Sequence, residues 1–444
     1  MSCKILDIRE DFIKYFRSKS HKLCAPSKVF IQEDDSLLFV NAGMNQFKDR
    51  ILSGVDSERT DETDSTKRLC NSQICIRAGG KHNDLDDVGN DSYHLTSFEM
   101  LGNWSMNNYQ KRETIQMAYG YLVDHLKLSP SRIYVTYFEG EESKGLDPDL
   151  ETKELWEEVV DPSRVLPGSF DDNFWMMGDT GPCGACTEIH YDISEEERFA
   201  ADLVNQDDPE VIEIWNNVFM DTICEESGGV FTYRKTPRFY VDAGMGLERL
   251  AMIVQQKPTI YQTDGFHFLF GYARALCNVE HAYADSYSYD HHDSATVLRD
   301  RAYRIFADHF RTMVIALYDG VRFDTVGRGN VLRKICRRLL TTTYIYLNNN
   351  RIEPLMTHPI VGAIISSILN YHLKFTHDRD ELHRLLMEEE KLYLGILWNS
   401  KKRADSARKK VGDDKATALL KSSGIPQEIV DYLDVLTFSK RCVT

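Results

Sequence analysis

The chain has 444 residues, of which 42% are hydrophobic and 27% are charged, so it can bury a large core and we expect two or three domains. No apolar run approaches the length of a membrane span, and the first ten residues lack the charged-then-apolar layout of a secretory signal. These features predict a protein without a membrane partner. Ten cysteines without the dense spacing of a disulfide scaffold indicate a reducing compartment.

The predicted elements begin with an amphipathic helix, because apolar residues recur at helical spacing near the amino terminus. A second helix is predicted over residues 110–126 and a strand over 133–138, with further strands up to Asp242. From about Leu298 onward the pattern becomes helical, and its apolar stripe is interpreted as core. The apolar positions are Ile5, Ile8, Phe12 and Phe16 in the first helix and Ile305, Phe306, Phe310, Val314 and Leu317 in the stripe, and later helices cover 332–347, 360–373 and 380–398.

A candidate nucleotide-binding hairpin lies in the first third of the chain. Residues 73–84 alternate apolar and polar side chains and then gather glycines and cations, and residues 98–103 can supply the returning strand. A guanidinium at Arg77 can grip phosphate oxygens in a two-pronged contact, Lys81 adds a point charge, and the glycines between them let backbone approach a ligand. The alternative is a surface turn with solvated charges.

Three later segments favour the ligand-binding interpretation. Residues 173–188 form a predicted loop that is rich in turn residues and carries a tryptophan able to wall an adenine or a small substrate. Residues 214–219 are a predicted buried strand with two amides, which need partners from protein or ligand. Residues 241–249 run from a strand through glycines into a helix, the geometry that aims backbone N–H groups at an anion. Asp242 and Arg249 bracket that turn.

The only Cys-x-x-Cys of the chain is formed by Cys183 and Cys186. No second cysteine pair or suitable histidine pair lies near by in sequence, so a turn-forming loop is favoured over a structural zinc site or a redox motif. We therefore expect no metal ligand among the site residues.

These segments together resemble the catalytic core of the class II aminoacyl-tRNA synthetases, and within that class the alanyl enzymes of eukaryotic cytosolic type. The motifs occur in that family's order, and the similarity is dense from about Ile5 to Gln255 and thinner to about Glu390. The motifs are Asn-Ala-Gly-Met-Asn-Gln-Phe-Lys at 41–48, Arg-Ala-Gly-Gly-Lys-His-Asn-Asp at 77–84, Gly-Asp-Thr-Gly-Pro-Cys-Gly at 178–184 and Gly-Met-Gly-Leu-Glu-Arg at 244–249.

The resemblance implies an α+β fold in which an antiparallel sheet flanked by helices is followed by an all-helical domain. The implied divisions are a catalytic domain at 1–256, a connector at 257–296 and a tRNA-recognition domain at 297–444. Editing and dimerising regions of the family have no counterpart in these 444 residues, so we expect a monomer that does not clear mischarged tRNA. The cytoplasm is the expected compartment, with a mitochondrial location also open.

The resemblance also assigns site residues. Arg77 would hold the ATP α-phosphate and the amino-acid carboxylate, Arg249 would lie over the nucleotide, and Asp242 would take the alanine ammonium. A recess between Val218 and Trp175 would accept the methyl group, and one methyl offers little energy for discrimination against glycine and serine. The implied ATP contacts are Arg77, Lys81, Trp175, Ile214, Trp215, Asn216, Gly246 and Arg249, and the implied alanine contacts are Trp175, Asn216, Val218 and Asp242.

The implied chemistry has two steps. The carboxylate of alanine attacks the α-phosphorus of ATP and pyrophosphate leaves; the terminal ribose hydroxyl of tRNA(Ala) then attacks the alanyl-adenylate. Such phosphoryl transfer asks the protein mainly for positioning and charge neutralisation, which fits arginines, a lysine and amides without a nucleophile. The expected cofactors are ATP and Mg²⁺, and the expected partners are alanine and tRNA(Ala).

The net charge of −16 speaks against a nucleic-acid partner at first sight, but the distribution of charge matters more than the sum. Acidic clusters lie at 56–64 and 195–210, whereas residues 328–338 concentrate cations in a helical pattern. That face could lie along an RNA backbone, or it could be a solvated helix face. The predicted tRNA contacts are Arg328, Arg333, Lys334, Arg337 and Arg338.

Among the positions that depart from the family pattern, three bear on ATP or RNA contacts. Leu95 stands where the alanyl enzymes carry a histidine that contacts ATP, and leucine cannot donate a hydrogen bond to a phosphate. Thr325 and Lys421 align with the asparagine and aspartate that read a G·U wobble pair in the acceptor stem. Two hypotheses follow: an active alanine–tRNA ligase core, or a catalytically weakened synthetase-like protein that binds or regulates. The retained site residues favour the first.

Overall fold

The computed structural model describes residues 4–32, 37–54, 67–79, 82–288, 294–373, 379–411 and 437–438. Its strands are β1 (Lys22–Leu23), β2 (Arg68–Ile76), β3 (Ala78–Gly79), β4 (His82–Asn83), β5 (Ser97–Met106), β6 (Ile133–Phe138), β7 (Val165–Gly168), β8 (Phe174–Met176), β9 (Gly181–Asp192), β10 (Val211–Ser227), β11 (Val230–Gly246), β12 (Arg351–Ile352) and β13 (Thr437–Phe438). Its α-helices are α1 (Ile5–Ser18), α2 (Lys48–Gly54), α3 (Lys111–Tyr119), α4 (Leu150–Glu157), α5 (Phe170–Asn173), α6 (Leu247–Val254), α7 (His267–Cys277), α8 (Ala295–Asp319), α9 (Gly327–Thr342), α10 (Ile360–Ile368) and α11 (Arg379–Val411).

Backbone contacts divide the chain into two compact units. The first, called the sheet unit, comprises residues 1–33, 40–75 and 98–263, and the second, called the helical unit, comprises 34–39, 76–97 and 264–444. The helical unit is therefore discontinuous in sequence, because it includes the segment that carries Arg77. The division at residues 256 and 296 stays a prediction.

The sheet that organises the first unit joins nine of the described strands. Their order is β1-β2-β5-β11-β10-β9-β6-β7, with β8 paired to β9. Neighbours from β5 to β6 whose register is defined run antiparallel, whereas β1–β2 and β6–β7 are parallel. The α+β fold is thus confirmed, with a sheet that is mixed at its edges. Gly228 and Gly229 take positive φ angles of 64° and 82°, so they can join the two longest strands by a two-residue turn.

Helix α1 covers one face of this sheet. Its predicted apolar positions Ile5, Ile8, Phe12 and Phe16 are all buried, as the helical spacing indicates. The rings of Phe12 and Phe16 lie 6.0 and 6.1 Å from the Trp215 ring on β10. Aromatic packing therefore fixes this helix over the middle of the sheet. The predicted strand at 133–138 is confirmed as β6.

Two buried glutamates from the resembling motifs connect elements of the sheet unit. The carboxylate of Glu99 on β5 accepts hydrogen bonds from the Arg9 guanidinium on α1 and from the Ser72 hydroxyl on β2. Glu248 on α6 accepts the backbone N–H of Glu99 at 3.0 Å. Removing either carboxylate would leave buried donors without an acceptor, so these two residues stabilise the fold.

Helix α8 is buried on all sides from Ala302 to Leu317. The predicted stripe is core, as expected, but the polar residues of this helix are also buried. They hydrogen-bond the backbone of the segment that follows Arg77. Arg304 Nε donates to the Gly89 carbonyl at 2.9 Å, Asp308 Oδ1 accepts the Thr96 N–H at 2.9 Å, and Arg311 Nη2 donates to the Ser97 carbonyl at 2.8 Å.

A buried relay extends from Asp308 to α9. Nε2 of His309 lies 3.1 Å from Nη1 of Arg338, and because a guanidinium only donates, Nε2 is the acceptor. The other ring nitrogen, Nδ1, therefore carries the proton and donates to Asp308 Oδ2 at 2.8 Å. Burial lowers the pKa of His309, Arg338 adds to this effect, and Asp308 opposes it. His309 is consequently neutral near pH 7.

We expect Asp308→Ala to lower the free energy of unfolding by about 3 kcal/mol, because it leaves the buried Thr96 and His309 N–H groups without acceptors and Arg338 without its carboxylate relay. Urea unfolding followed by circular dichroism measures this loss. Asp405→Ala, on an exposed position of α11, is the matched control and should change stability by less than about 0.5 kcal/mol. Equal stability of the two variants would contradict the structural role of Asp308.

Candidate active site

Asp242 on β11 lies at the centre of the candidate site. Its position is directly opposite Val218 on β10 and Trp104 on β5. Val218 is in turn opposite Cys186 on β9. Directly paired residues of antiparallel strands project to the same side of the sheet, so these four side chains share one face.

A compact apolar cluster surrounds this carboxylate. Val218, Trp104, Cys186 and Met177 belong to one buried cluster, and the partly buried ring of Trp175 packs against it. The structure therefore brings Val218 and Trp175 into one cluster beside Asp242, whereas the methyl-binding recess between them stays a prediction. Remaining members of the cluster are Met44, Ile51, Leu69, Met106, Met220 and Tyr240, with Cys24, Phe47 and Ile223 at its edge.

The environment of the Asp242 carboxylate is dry. Its residue is only 5% exposed, and the indole N–H of Trp104 donates to Oδ1 at 2.7 Å. Burial raises the pKa of Asp242 to about 7, against the lowering effect of the Trp104 hydrogen bond. A cationic ligand would restore the ionised form, because an opposite charge favours it.

Asn216 occupies the same face two residues before Val218. It is opposite Gly244 on β11 and Glu188 on β9. Its Oδ1 atom is buried and has no hydrogen-bond partner among the described residues. A buried amide oxygen without a partner is costly, and a ligand donor would satisfy it.

Trp215 lies on the opposite face of the sheet. It is fully buried against α1 and pairs with Met245 and Ile189, so strand alternation separates its ring from Asp242 and Asn216. Ile214 is buried at a register shift between β10 and β9. The structure thus groups Asn216, and not the Trp215 side chain, with the candidate alanine site.

The segment at 173–188 is mostly strand, so the predicted loop is wrong for most of its length. Residues of β8 and β9 pair through Trp175 and Gly184, and the turn is confined to the residues between these strands. Cys183 packs with Phe138, Phe174 and Cys224, whereas Cys186 belongs to the Val218 cluster. Strand geometry sends residues three apart to opposite faces, so the two thiols do not form a pair.

A second group of charges lies where β9, β10 and α6 meet. Arg249 Nη1 donates to the Glu213 carbonyl at 2.7 Å and lies 3.4 Å from its carboxylate, and Gly246 is the N-cap residue of α6. Burial raises the pKa of Glu188, Glu213 adds to this effect, and His190 opposes it. Within the described ranges, no group of three or more His, Cys, Asp or Glu side chains forms a metal site.

Arg77 belongs to the helical unit, where its backbone joins the end of β2 to β5. Its N–H donates to the Thr96 carbonyl at 2.9 Å, and its carbonyl accepts the Asp84 N–H at 3.3 Å. Leu95 is 4% exposed, so its side chain is part of the core. Lys81 lies outside the described residues.

The cations of α9 are largely engaged within the protein. Arg333 Nε lies 2.9 Å from the buried Glu389 carboxylate on α11, and Arg337 lies 3.9 Å from it. Arg338 donates to the Leu85 and Val88 carbonyls at 2.6 and 3.0 Å. Lys334 is exposed, Arg328 is half-buried, and Thr325 is exposed in the turn before the helix. Lys421 lies outside the described residues.

Sequence reasoning missed Trp104, Glu188 and His190. Trp104 lies three residues after the motif residue Leu101, but only the pairing of β5 with β11 shows that it meets Asp242. His190 Nε2 lies 3.3 Å from Glu188 Oε2, a contact between neighbouring positions on one strand face. For Glu188 and His190, the sequence signal was the alternation of polar residues along β9.

Known proteins resemble this chain over most of its length. A family model described as tRNA synthetases class II (A) matches residues 7–434. The chain is 48% identical over 333 residues to an alanine–tRNA ligase of Schizosaccharomyces pombe, covering 75% of this chain and 34% of that protein. It is 44% identical over 393 residues to the cytoplasmic alanine–tRNA ligase of Bombyx mori, covering 88% and 39%. It is 44% identical over 385 residues to the mitochondrial alanine–tRNA ligase of Saccharomyces cerevisiae, covering 86% and 38%.

The chain therefore spans between 34% and 39% of the length of these curated relatives. None of the helices in the described ranges combines the length and apolar character needed to cross a membrane.

The buried Asp242 predicts a specific dependence of stability on pH. Its pKa rises from 3.8 in the unfolded chain to about 7 in the folded protein, so between these values the folded state holds more protons. The free energy of unfolding should consequently fall as pH rises through this window, by up to about 4 kcal/mol. Asp242→Asn should remove this fall and be the more stable protein at pH 8.

Urea unfolding at pH 5 and pH 8 measures the effect, with Asp147→Asn in an exposed loop of the same unit as the matched control. The control should retain the pH dependence of the wild type. An identical pH dependence in Asp242→Asn would show that another group titrates.

Proposed function

Because the chain belongs to the tRNA synthetases of class II (A), we propose that it activates alanine with ATP and transfers it to the 3′ end of tRNA(Ala). The observation that carries this proposal is the buried Asp242 carboxylate beside the apolar cluster that contains Val218 and Trp175. A carboxylate fits an ammonium, and a small apolar recess fits a methyl group. The names of the relatives described above support the same amino acid.

In this proposal the protein positions two reactants and neutralises charge. Asp242 holds the alanine ammonium and Val218 contacts the alanine methyl group. The carboxylate of the bound alanine then points away from the recess. Arg77 and Lys81 keep, by resemblance, their roles as cations for the amino-acid carboxylate and the phosphates. Arg249 is held by Glu213, which limits its motion and suits a residue that lies over a nucleotide.

The described residues fit ATP and Mg²⁺ in two respects. The unpartnered Oδ1 of Asn216 can accept a donor from a ligand. Glu188 and Glu213 place two carboxylates close enough for each charge to influence the other, and Mg²⁺ is commonly held by one or two carboxylates together with phosphates. When bound, Mg²⁺ supplies charge neutralisation on the phosphates. The remaining nucleotide contacts proposed are Trp175, Ile214 and Gly246. The Trp215 ring packs against α1 on the opposite face of the sheet, so we do not propose a side-chain contact for it.

For tRNA, the proposed contacts on α9 separate into two kinds. Arg333, Arg337 and Arg338 already bind partners within the helical unit. Lys334 is exposed and offers a point charge to a phosphate, and the half-buried Arg328 lies on the first turn of the same helix. We further propose a monomer in the cytoplasm, with a mitochondrial location also compatible with the names of the relatives.

Alanine-dependent ATP–pyrophosphate exchange tests the activation step. Exchange should occur with alanine and, more weakly, with serine and glycine, because one methyl group contributes only about 1–3 kcal/mol to selection. Asp242→Asn should reduce kcat/KM for alanine by about a hundredfold or more, because it removes a buried charge partner. Asp147→Asn, in an exposed loop outside the motifs, should leave exchange unchanged. Folded wild-type protein that binds ATP yet shows no alanine-dependent exchange would reject the proposal.

Aminoacylation of tRNA(Ala) at several salt concentrations tests the α9 contact. Lys334→Gln should raise the KM for tRNA and lower the slope of log KM against log salt by about 1, because one phosphate contact is lost. Its rate of pyrophosphate exchange should not change. Lys391→Gln, at an exposed position on α11, is the control. An unchanged salt slope in Lys334→Gln would remove this residue from the RNA contact.

A further inference from the structure

We propose that Trp104 is a positioning residue for the amino-acid ammonium, because its indole N–H fixes one oxygen of Asp242 and leaves the other for the ligand. This inference rests on the proposed function. It extends it by one residue that the sequence motifs do not assign.

The hydrogen bond is short and buried. Trp104 Nε1 donates to Asp242 Oδ1 at 2.7 Å, between residues that are 0% and 5% exposed. The two residues are directly paired across β5 and β11, so strand register sets their distance. Within the described residues, no other hydrogen bond to the Asp242 carboxylate occurs. One carboxylate oxygen is therefore held in place, and the second can receive an ammonium N–H.

The indole ring has little freedom to move. A Cβ atom at Gly102 would lie 2.1 Å from the ring, and one at Gly43 would lie 2.7 Å from it. A side chain at either position would therefore collide with the ring, so both glycines are needed for this ring position. The Phe47 ring packs edge-on at 5.0 Å. A donor held this firmly needs no reorganisation when a charge binds beside it.

The effect of the indole on the pKa of Asp242 depends on which other titratable groups lie around that carboxylate. The titratable residues that share the face of Asp242 on the neighbouring strands are Cys186 and Glu188 on β9 and Tyr240 on β11, and Arg50 on α2 influences the pKa of Tyr240. Burial raises the pKa of Cys186 and that of Tyr240, so both are neutral near pH 7. Burial and the indole are the two influences on the pKa of Asp242, which they raise and lower respectively.

Trp104→Phe keeps most of the ring and removes the donor. Its KM for alanine in pyrophosphate exchange should rise about tenfold or more, while the KM for ATP and kcat stay within about twofold of the wild type. The pH at which kcat/KM for alanine reaches half its maximum should rise by about one unit, because the group that favours the carboxylate is gone. Trp104→His, whose ring can still donate, should recover part of both losses. An alanine KM and pH midpoint equal to those of the wild type would overturn the inference.

Trp156→Phe is the matched control. Trp156 on α4 is also fully buried, and its indole N–H donates to Thr187 Oγ1 at 2.8 Å. It should lose comparable stability without a change in the alanine KM or the pH midpoint. Equal kinetic changes in both variants would mean that Trp104 acts through general packing, which would overturn the inference.

The stability of the variants separates this inference from the proposed function. If the wild type shows no exchange with any amino acid, the proposed function fails. The fall of unfolding free energy with rising pH then remains as a readout, and Trp104→Phe should shift it to higher pH while Trp156→Phe does not. An unchanged window would overturn the role of Trp104. Trp104→Leu, which also lacks the donor, replaces the phenylalanine variant if that protein does not fold.

Discussion

The burial of the Asp242 carboxylate in the middle of an antiparallel sheet is the constraint on which the candidate site depends. A buried charge without a cationic partner costs free energy, and here one indole hydrogen bond offsets only part of that cost. The site can remain dry only because the cluster around Val218 excludes water on one side and α1 covers the other face of the sheet. A ligand that brings an ammonium would offset the rest of that cost, which is how a functional site can be less stable than a purely structural core.

In the helical unit, buried polar and charged side chains find their hydrogen-bond partners in a different way. Buried polar side chains of α8 bind backbone carbonyl and N–H groups of the segment that follows Arg77, and Arg338 on α9 binds two carbonyls of the same segment. Each of these bonds satisfies a backbone group that a loop would otherwise leave to water. Of the cations that the sequence offers for RNA binding, some are consequently held in contacts within the protein and others are exposed. The charge pattern of the sequence does not show which cations are held within the protein, because this depends on the position of Glu389 on another helix.

The elements that the sequence predicts well are those whose burial follows a single period. Helix α1 and strand β6 have this property, and their predicted residues agree with the structure. The segment at 173–188 misled because glycine, proline and aspartate normally mark loops, whereas strand pairing with β10 overrides that local preference. Asp242, Val218 and Trp175 could be grouped by resemblance to a family. Trp104 could not, because cross-strand register is a long-range property that no local pattern encodes.

The arrangement also determines where selectivity can arise. Alanine, glycine and serine all carry the ammonium that Asp242 would bind, so the strongest contact of the site cannot distinguish them. The proposed recess of Val218 and Trp175 would exclude larger side chains by sterics, but against glycine it would gain only the burial of one methyl group. Against serine it must rely on leaving a hydroxyl without a partner in an apolar cluster, which costs more than a lost methyl contact. Two effects therefore depend on the exclusion of water from the recess. One carboxylate can bind an ammonium strongly, and an extra hydroxyl becomes unfavourable. Both effects fail together if water enters, so the packing around Trp104 and its two glycines affects selectivity as well as affinity.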